Sequence, residues 1–288
     1  MTFSAAATEN PEWGPWLRLL ERAQDAAGEP WRVEIGLAAN REVRAPLLHE
    51  ARLALEGARV REWLDTMLRA AAAELKGRAE LGSMQLDEAN ALRLLEAAIG
   101  LDEPMLERLA EARGAATAPL AAVLQLATMP ILRACRRRLA AEVPQGWPYG
   151  HCPVCAAWPA LAETRGLERE RRVRCGRCSC DWKFGLLHCP FCDERDHKQL
   201  AGFVVEGNEE MRRVDTCRSC HGYLKGVATL MALPDERVAV LDVETLELDL
   251  VAADRGFSRP AQRAFPMRIG LTSGPADTTD GDREWLLS

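Results

Sequence analysis

The chain has 288 residues, a formal net charge of −6, 48% hydrophobic residues and ten cysteines. The acidic balance argues against a general polyanion binder, and no apolar stretch reaches the roughly 18 residues that span a bilayer. The first residues carry neither the basic region nor the apolar run of a secretory signal. We therefore expect a cytoplasmic protein without membrane attachment, whose cysteines act as metal ligands or reactive thiols rather than as disulfides.

The first half of the chain is predicted to be helical. Apolar residues recur every three or four positions in residues 13–23, and Gly28 with Pro30 ends this stripe. A kink is expected near Pro130, in the last helical pattern before the short alternating segments begin. Residues 1–146 are therefore predicted to form an all-α domain. Its further helical patterns cover residues 46–76, 87–99, 104–112 and 119–141.

Short alternating segments, typical of strands, follow the proline and glycine run at residues 144–150. They predict one hairpin around Gly166 and another around residues 207–208, each flanked by cysteine pairs as in a zinc ribbon or rubredoxin. A short helix is predicted from Asp242 to about residue 253. The fold class is therefore multidomain α+β, with two tandem rubredoxin-like four-cysteine modules after the helical domain. The predicted boundaries are residues 147–187 and 188–227 for the modules and 228–288 for the C-terminal helix and tail.

Four C-x-x-C pairs are the strongest functional signal. Two such pairs, joined by a chain long enough to return, complete a tetrahedral four-sulfur cage, so the sequence predicts two metal sites. Sequential pairing follows the repeat, and an interleaved pairing of the first pair with the third is the alternative. The predicted metal ligands are Cys152, Cys155, Cys175, Cys178, Cys189, Cys192, Cys217 and Cys220.

The predicted sites leave the metal and its role open. Four thiolates suit zinc and also iron, either as a single ion or in a cluster. A structural role is expected because metal binding contributes folding free energy to small sheets. An iron sensor or redox centre is the functional alternative.

Several residues near the pairs have more than one interpretation. Cys180, two residues beyond a predicted ligand, is expected to be a spare thiol, with an alternate ligand or a redox thiol as the other hypothesis. Cys135 is expected to be a buried helix residue. His151, His188 and His221 adjoin the pairs and are expected to support the cages by hydrogen bonds rather than to bind metal.

The basic segment at residues 165–183 supports a rival function. It holds seven basic and three acidic residues, as nucleic-acid-binding ribbons do. The segment has no series of aromatic residues for stacking on bases, and we do not expect nucleic acid as the partner. Phosphate-binding glycine loops and the common hydrolase motifs are absent, so we expect no enzyme. A redox or sulfur-transfer catalyst that uses Cys180 is the third hypothesis.

Together these features resemble the FdhE family of formate dehydrogenase accessory proteins. The likeness includes the four cysteine pairs, Asp181-Trp182 after the second pair and Tyr223-Leu224-Lys225 after the fourth. It covers about residues 145–270 well and the helical half in general character only. Many knuckles of this type have glycine after the second cysteine. This chain departs from that pattern with Ala156, Ser179, Asp193 and His221.

The resemblance implies a cytoplasmic factor needed for an active respiratory formate dehydrogenase. It implies contact with the catalytic subunit of that enzyme before export by the twin-arginine route. It also implies two iron ions, bound in rubredoxin fashion by the eight paired cysteines, with zinc as the alternative.

Overall fold

The computed structural model describes residues 13–204, 212–261 and 263–274, and within them helices and two β-sheets alternate along the chain. The helices are α1 (Gly14–Gly28), α2 (Gly57–Glu74), α3 (Ala79–Gly82), α4 (Glu88–Gly100), α5 (Glu103–Glu111), α6 (Thr117–Ala127), α7 (Met129–Arg138), α8 (Asp235–Glu244) and α9 (Leu246–Asp254). The strands are β1 (Val33–Gly36), β2 (Ala51–Leu55), β3 (Pro159–Arg165), β4 (Glu170–Cys175), β5 (Asp181–Lys183), β6 (Leu200–Val204), β7 (Arg212–Cys217), β8 (Tyr223–Thr229) and β9 (Ile269–Ser273).

Aspartate side chains begin two of the predicted helices. Asp87 accepts a hydrogen bond of 2.7 Å from the backbone N–H three residues on, at the start of α4. Asp102 does the same at 3.0 Å at the start of α5. Such caps satisfy donors that a helix leaves free at its beginning. Near Pro130, where a kink was expected, the helical pattern is interrupted at Thr128, and the proline occupies the first turn of α7, where its missing N–H costs nothing.

The expectation of an all-α N-terminal domain is wrong. Residues 51–55, predicted to be helical, form β2, which pairs antiparallel with β1 and parallel with β9. Leu53, fully buried, lies opposite Ile35 in β1 and Leu271 in β9. A short apolar run fits helical and strand periods about equally well, so its neighbours decide the outcome. One of those neighbours comes from the other end of the chain.

The two cysteine-rich hairpins share one sheet. Its six strands follow the order β5-β4-β3-β8-β7-β6. The hairpin of β3 and β4 around Gly166 is present, and residues 207–208 lie outside the described residues. Parallel pairing of β3 with β8, with Leu161 opposite Lys225, joins the two halves. The expectation of a separate small sheet for each cage is therefore wrong, because the exposed backbone N–H and C=O groups of β3 and β8 pair with each other. The domain boundaries given above stay a prediction.

Among the described residues, two helices rather than one follow the sheet. The first, α8, begins at Asp235 directly after Pro234, well before the Asp242 start that was predicted. Asp235 and Glu236 lie in its first turn, where negative charge is favourable. Thr245 separates α8 from α9, and Gly256, at φ +80°, follows α9 near the predicted end. The predicted C-terminal helix is thus the second of a pair.

One described segment has the length and composition of a membrane-spanning helix. It runs from Thr117 to Arg138 over 22 residues, and its most apolar 18 residues have a mean hydropathy of 1.4. Of those 18 residues, 67% are buried inside the protein. Leu120 and Val123 are fully buried in the main hydrophobic core. A core helix passes the same test, so the apolar composition of α6 and α7 is accounted for by packing.

A buried cation joins the C-terminal helices to the sheet. Lys225 in β8 is 1% exposed, and its Nζ lies 2.6 Å from a carboxylate oxygen of Asp249 in α9. The same amine donates to the backbone carbonyl of Asp242 in α8 at 2.6 Å. The Tyr223 hydroxyl donates to Asp249 at 2.6 Å, and Arg259 reaches both aspartates. These bonds fix α8 and α9 against the strand that follows the last cysteine pair.

We expect Lys225→Met to lower the free energy of unfolding by about 3 kcal/mol, because the ion pair of a buried amine is lost and the half-buried Asp249 carboxylate loses its nearest cation. Urea denaturation measures the change. Lys183→Met is the matched control, since that side chain is 69% exposed and 3.5 Å from Glu170. An exposed pair of this kind contributes about 0–1 kcal/mol. Equal losses for the two variants would show that the Lys225 network does not stabilise the fold.

Candidate metal centres

The first four predicted ligands converge on one buried point. The sulfur atoms of Cys152 and Cys178 are 3.4 Å apart, and Cys155 lies 3.5 Å from Cys175 and 3.6 Å from Cys178. A tetrahedral ion with metal–sulfur bonds of about 2.3 Å needs sulfur atoms about 3.8 Å apart. All four side chains are fully buried. This group, called the first cage, therefore has the donor set and spacing for one metal ion.

The remaining four predicted ligands form a second group. Cys189 and Cys220 have sulfur atoms 3.7 Å apart, as do Cys192 and Cys217. All four ligand atoms lie within 4.8 Å of one another. The groups are those of the sequential pairing, and the interleaved pairing is excluded. This group is called the second cage, and it too could hold one metal ion.

Each cysteine pair lies in the same kind of tight turn. The residue after the second cysteine has positive φ in all four pairs, although none of them is glycine. Backbone hydrogen bonds close the turns: in the first pair Ala156 donates to the Cys152 carbonyl at 3.1 Å, and Cys152 donates to Ala157 at 2.8 Å. The departure from the family pattern therefore leaves the turn unchanged. The φ values are +63° at Ala156, +61° at Ser179, +63° at Asp193 and +55° at His221.

These turns also direct backbone N–H groups at sulfur. The N–H of Val154 lies 3.4 Å from the Cys152 sulfur, and the N–H of Arg177 lies 3.4 Å from the Cys175 sulfur. Hydrogen bonds to the charged form stabilise a thiolate, which is the form that binds metal. The positive φ costs about 1–2 kcal/mol at a residue other than glycine. The backbone of the turn is therefore strained, and the strained conformation places the sulfur atoms.

The first cage is built into the helical half of the molecule. Backbone N–H groups of Leu47 and Leu48 donate to the carbonyls of Pro153 and Val154, at 2.7 and 3.1 Å. On the opposite knuckle, the Arg177 guanidinium donates to the carbonyls at the end of α4, at 2.8 and 3.2 Å. The first-cage cysteines belong to the main hydrophobic core. The turn before β2 and the end of α4 therefore hold the two knuckles of this cage directly.

The histidines beside the pairs support the loops. His151 is 7% exposed, contacts the Arg44 carbonyl at 3.1 Å and stacks on Tyr149. Burial lowers the pKa of His151. His188 bonds to Asp193 across the third turn and stacks on Phe184 at 4.4 Å. Neither ring belongs to a four-sulfur group of the described residues.

The two cysteines outside the repeat are buried. Cys135 lies in α7, as expected, and burial raises the pKa of its thiol to about 12. Cys180 is 2% exposed, and its sulfur contacts the Asp181 carbonyl at 3.8 Å. It also borders a cavity of about 170 Å³ with Arg136 and Lys183. Its sulfur is not one of the four that form the first cage.

The basic segment of the sequence is largely neutralised within the fold. Arg174, 2% exposed, pairs with Glu163 at 2.6 Å, and Arg165 pairs with Asp181 at 2.9 Å. Arg171 pairs with Asp215 of β7 at 3.1 Å. Its partner lies far away in the sequence, so the pattern of the basic segment could not show it. The segment is a network of internal ion pairs rather than an open cationic surface.

An apolar cavity of about 220 Å³ lies against the second cage. Cys189 and Cys217 form part of its wall, and Arg171 with Asp215 lies beside them. The exposed side chains of Leu186 and Leu187 line the same cavity. No motif in the sequence indicates their position beside a candidate metal centre.

We expect His221→Gly to raise the free energy of unfolding by about 1 kcal/mol, because glycine adopts positive φ without the steric cost. Thermal unfolding of the metal-loaded protein measures it. His197→Gly is the control: its side chain is 72% exposed, and its φ is not positive. There glycine should lower stability by about 0.5 kcal/mol. The same sign for both variants would contradict the strain assigned to these turns.

We expect Cys178→Ser to remove one metal ion per chain, because three sulfurs do not close the first cage. Cys180→Ser should leave the metal content unchanged, since Cys180 lies outside the four-sulfur group. Elemental analysis of the purified variants measures both. Loss of metal from Cys180→Ser with full metal in Cys178→Ser would mean that the second knuckle binds through Cys180.

No protein-family model matches the chain. An FdhE homolog from Stutzerimonas stutzeri is 36% identical over 113 residues, covering 38% of this chain and 36% of that protein. An FdhE homolog from Aquifex aeolicus is 29% identical over 117 residues, covering 38% of this chain and 40% of that protein. The chain thus matches well under half the length of these curated relatives.

The fold has a solved counterpart. The crystal structure of the FdhE protein from Pseudomonas aeruginosa matches with a TM-score of 0.56 and 23% identity, covering 93% of this chain and 94% of that one. At this identity the likeness shows a shared fold. Together with the sequence matches, it confirms the resemblance predicted from the sequence: the chain is similar to FdhE homologs over part of its length and shares the fold of the FdhE crystal structure.

Proposed function

We propose that this protein is a cytoplasmic accessory factor for a formate dehydrogenase, and that it binds the catalytic subunit of that enzyme before export. The observation that supports the proposal most is the pair of complete four-cysteine cages in a chain similar to FdhE homologs. The function follows from the family resemblance of the cysteine-rich half. The cages and the single sheet that joins them supply the rigid surface on which such a partner would bind.

Each cage would hold one metal ion through its four thiolates. Iron is proposed from the family resemblance, and zinc fits the same donor set. When bound, the ion crosslinks two turns and contributes folding free energy to a small sheet. The sulfur spacings of 3.4 to 3.7 Å suit that role in both cages. An absorption band of the rubredoxin type would separate iron from zinc.

We propose that the factor is not an enzyme. The eight paired cysteines are committed to the two cages, and the buried cations Arg174 and Lys225 are engaged in ion pairs. Cys135 is buried with a raised pKa, which suppresses the thiolate needed for chemistry. The role proposed for the chain is therefore binding rather than catalysis.

The apolar cavity beside the second cage is the proposed contact with the catalytic subunit. Leu186 and Leu187, 55% and 60% exposed, line it. Exposed apolar side chains around a concave surface are typical of interaction sites. The nucleic-acid alternative is not favoured, because Arg165, Arg171 and Arg174 pair with carboxylates of the chain itself.

A tagged form of the protein, expressed in cells that make formate dehydrogenase, should capture the catalytic subunit, as detected by mass spectrometry. The variant carrying Leu186→Asp and Leu187→Asp should recover about tenfold less, which corresponds to about 1.4 kcal/mol of binding free energy. The charges enter an apolar cavity and oppose burial there.

Leu230→Asp is the matched control, because Leu230 is 85% exposed and lies outside the cavity lining. It should capture the subunit as the unaltered protein does. Metal content should stay the same in all three proteins. A bait that never captures the catalytic subunit would refute the proposed function, and equal capture by both variants would refute the contact at the cavity.

A further inference from the structure

The two cages differ in their access to solvent. All four first-cage cysteines are buried at 0% exposure. In the second cage, Cys189 and Cys217 are buried, whereas Cys192 and Cys220 are exposed. The exposed members are the second cysteine of each knuckle. One edge of the second cage, defined by Cys192 and Cys220, therefore faces water.

The surroundings differ in the same direction. The first cage is enclosed by the main hydrophobic core and anchored through Leu48 and Arg177 to the helical half. Among the described residues, none of the second-cage cysteines belongs to a hydrophobic core cluster. The knuckles of the second cage are linked by an exposed hydrogen bond of 2.6 Å from the Ser219 hydroxyl to Glu194.

The loop that follows the third knuckle is polar and open. The side chains of Asp193, Arg195 and His197 are 72%, 67% and 72% exposed. Segments with few buried apolar contacts and exposed hydrogen bonds open locally at low free-energy cost. The polar loop at the open edge can therefore move without disturbing the core, whereas the first-cage turns lie within the core.

We propose that the second cage is the exchangeable metal site of this protein, entered at the edge formed by Cys192 and Cys220, and that the first cage retains its metal. This inference rests on the metal binding stated under the proposed function. The ligand that enters is a small soluble chelator with carboxylate or thiolate donors. The solvent exposure of the cysteines decides which cage the chelator enters, since the two cages have the same donor set and similar sulfur spacing.

The exchange is a ligand substitution. A donor atom of the chelator binds as the Cys192 or Cys220 sulfur is released, and the released thiolate takes up a proton from water. No electrons are transferred. Further donors of the chelator replace the remaining sulfurs in turn. In the first cage the same substitution would require the helices to separate from the knuckles.

The test uses the full-length protein loaded with zinc and treated with excess EDTA. Elemental analysis of the protein over time should show one zinc per chain lost at least about tenfold faster than the other, a barrier difference of about 1.4 kcal/mol. Alkylation with N-ethylmaleimide, followed by peptide mass spectrometry, identifies the emptied site. The label should appear first on the second-cage cysteines.

Two variants sharpen the assignment. Cys220→Ser should abolish the fast loss and leave the slow one unchanged. Glu194→Gln weakens the link between Glu194 and Ser219 while keeping all ligands, and it should speed the fast loss alone. Glu194 is half-exposed, and its carboxylate accepts from Ser219 and from the backbone N–H groups of Arg195 and Asp196 in the loop, so this variant leaves the hydrophobic core intact.

The outcomes separate this inference from the proposed function. Two zinc ions that leave at the same rate, or early labelling of first-cage cysteines, would overturn the inference and leave the two-site proposal standing. A freshly loaded chain that holds no zinc or iron would overturn the metal part of the proposed function, and the inference with it.

Discussion

The convergence of four sulfur atoms in each cage is the constraint on which the cysteine-rich half depends. It requires a left-handed residue in every knuckle, and the chain accepts it at Ala156, Ser179, Asp193 and His221 without glycine. The free energy of binding a metal ion between two turns would far exceed this conformational cost, since such binding is worth about 10–16 kcal/mol in small metal-bound domains. The sheet is short and in need of that support, because β5 has only three residues.

The parallel pairing of β3 and β8 joins the two cages through a single sheet. It places the first ribbon beside the second and leaves both edge strands short. The helical half is hydrogen-bonded to the first ribbon through Leu47, Leu48 and Arg177. On the far side, Lys225 holds α8 and α9 against β8. The cages are therefore alike in ligands and unlike in surroundings, which permits one repeated motif to serve two purposes.

The sequence predicted those features that are determined by residues close together in the chain. The spacing of the cysteines predicted both sets of four, and the helical patterns at residues 87–99 and 104–112 begin within a residue of α4 and α5. The sheet of β1, β2 and β9 escaped prediction, because Ala51 pairs with Ile269 from the far end of the chain. The ion pair of Arg171 with Asp215 escaped for a similar reason, because its partner lies in β7. Cage exposure is likewise a property of packing, which no cysteine spacing records.

The claim that the protein has two independent four-sulfur metal centres is tested most directly by X-ray absorption spectroscopy of the purified, metal-loaded protein at the metal edge. The account predicts four sulfur neighbours per metal at about 2.3 Å, with no close metal–metal distance. A shell that mixes sulfur with nitrogen or oxygen, or a short metal–metal distance as in an iron–sulfur cluster, would contradict it.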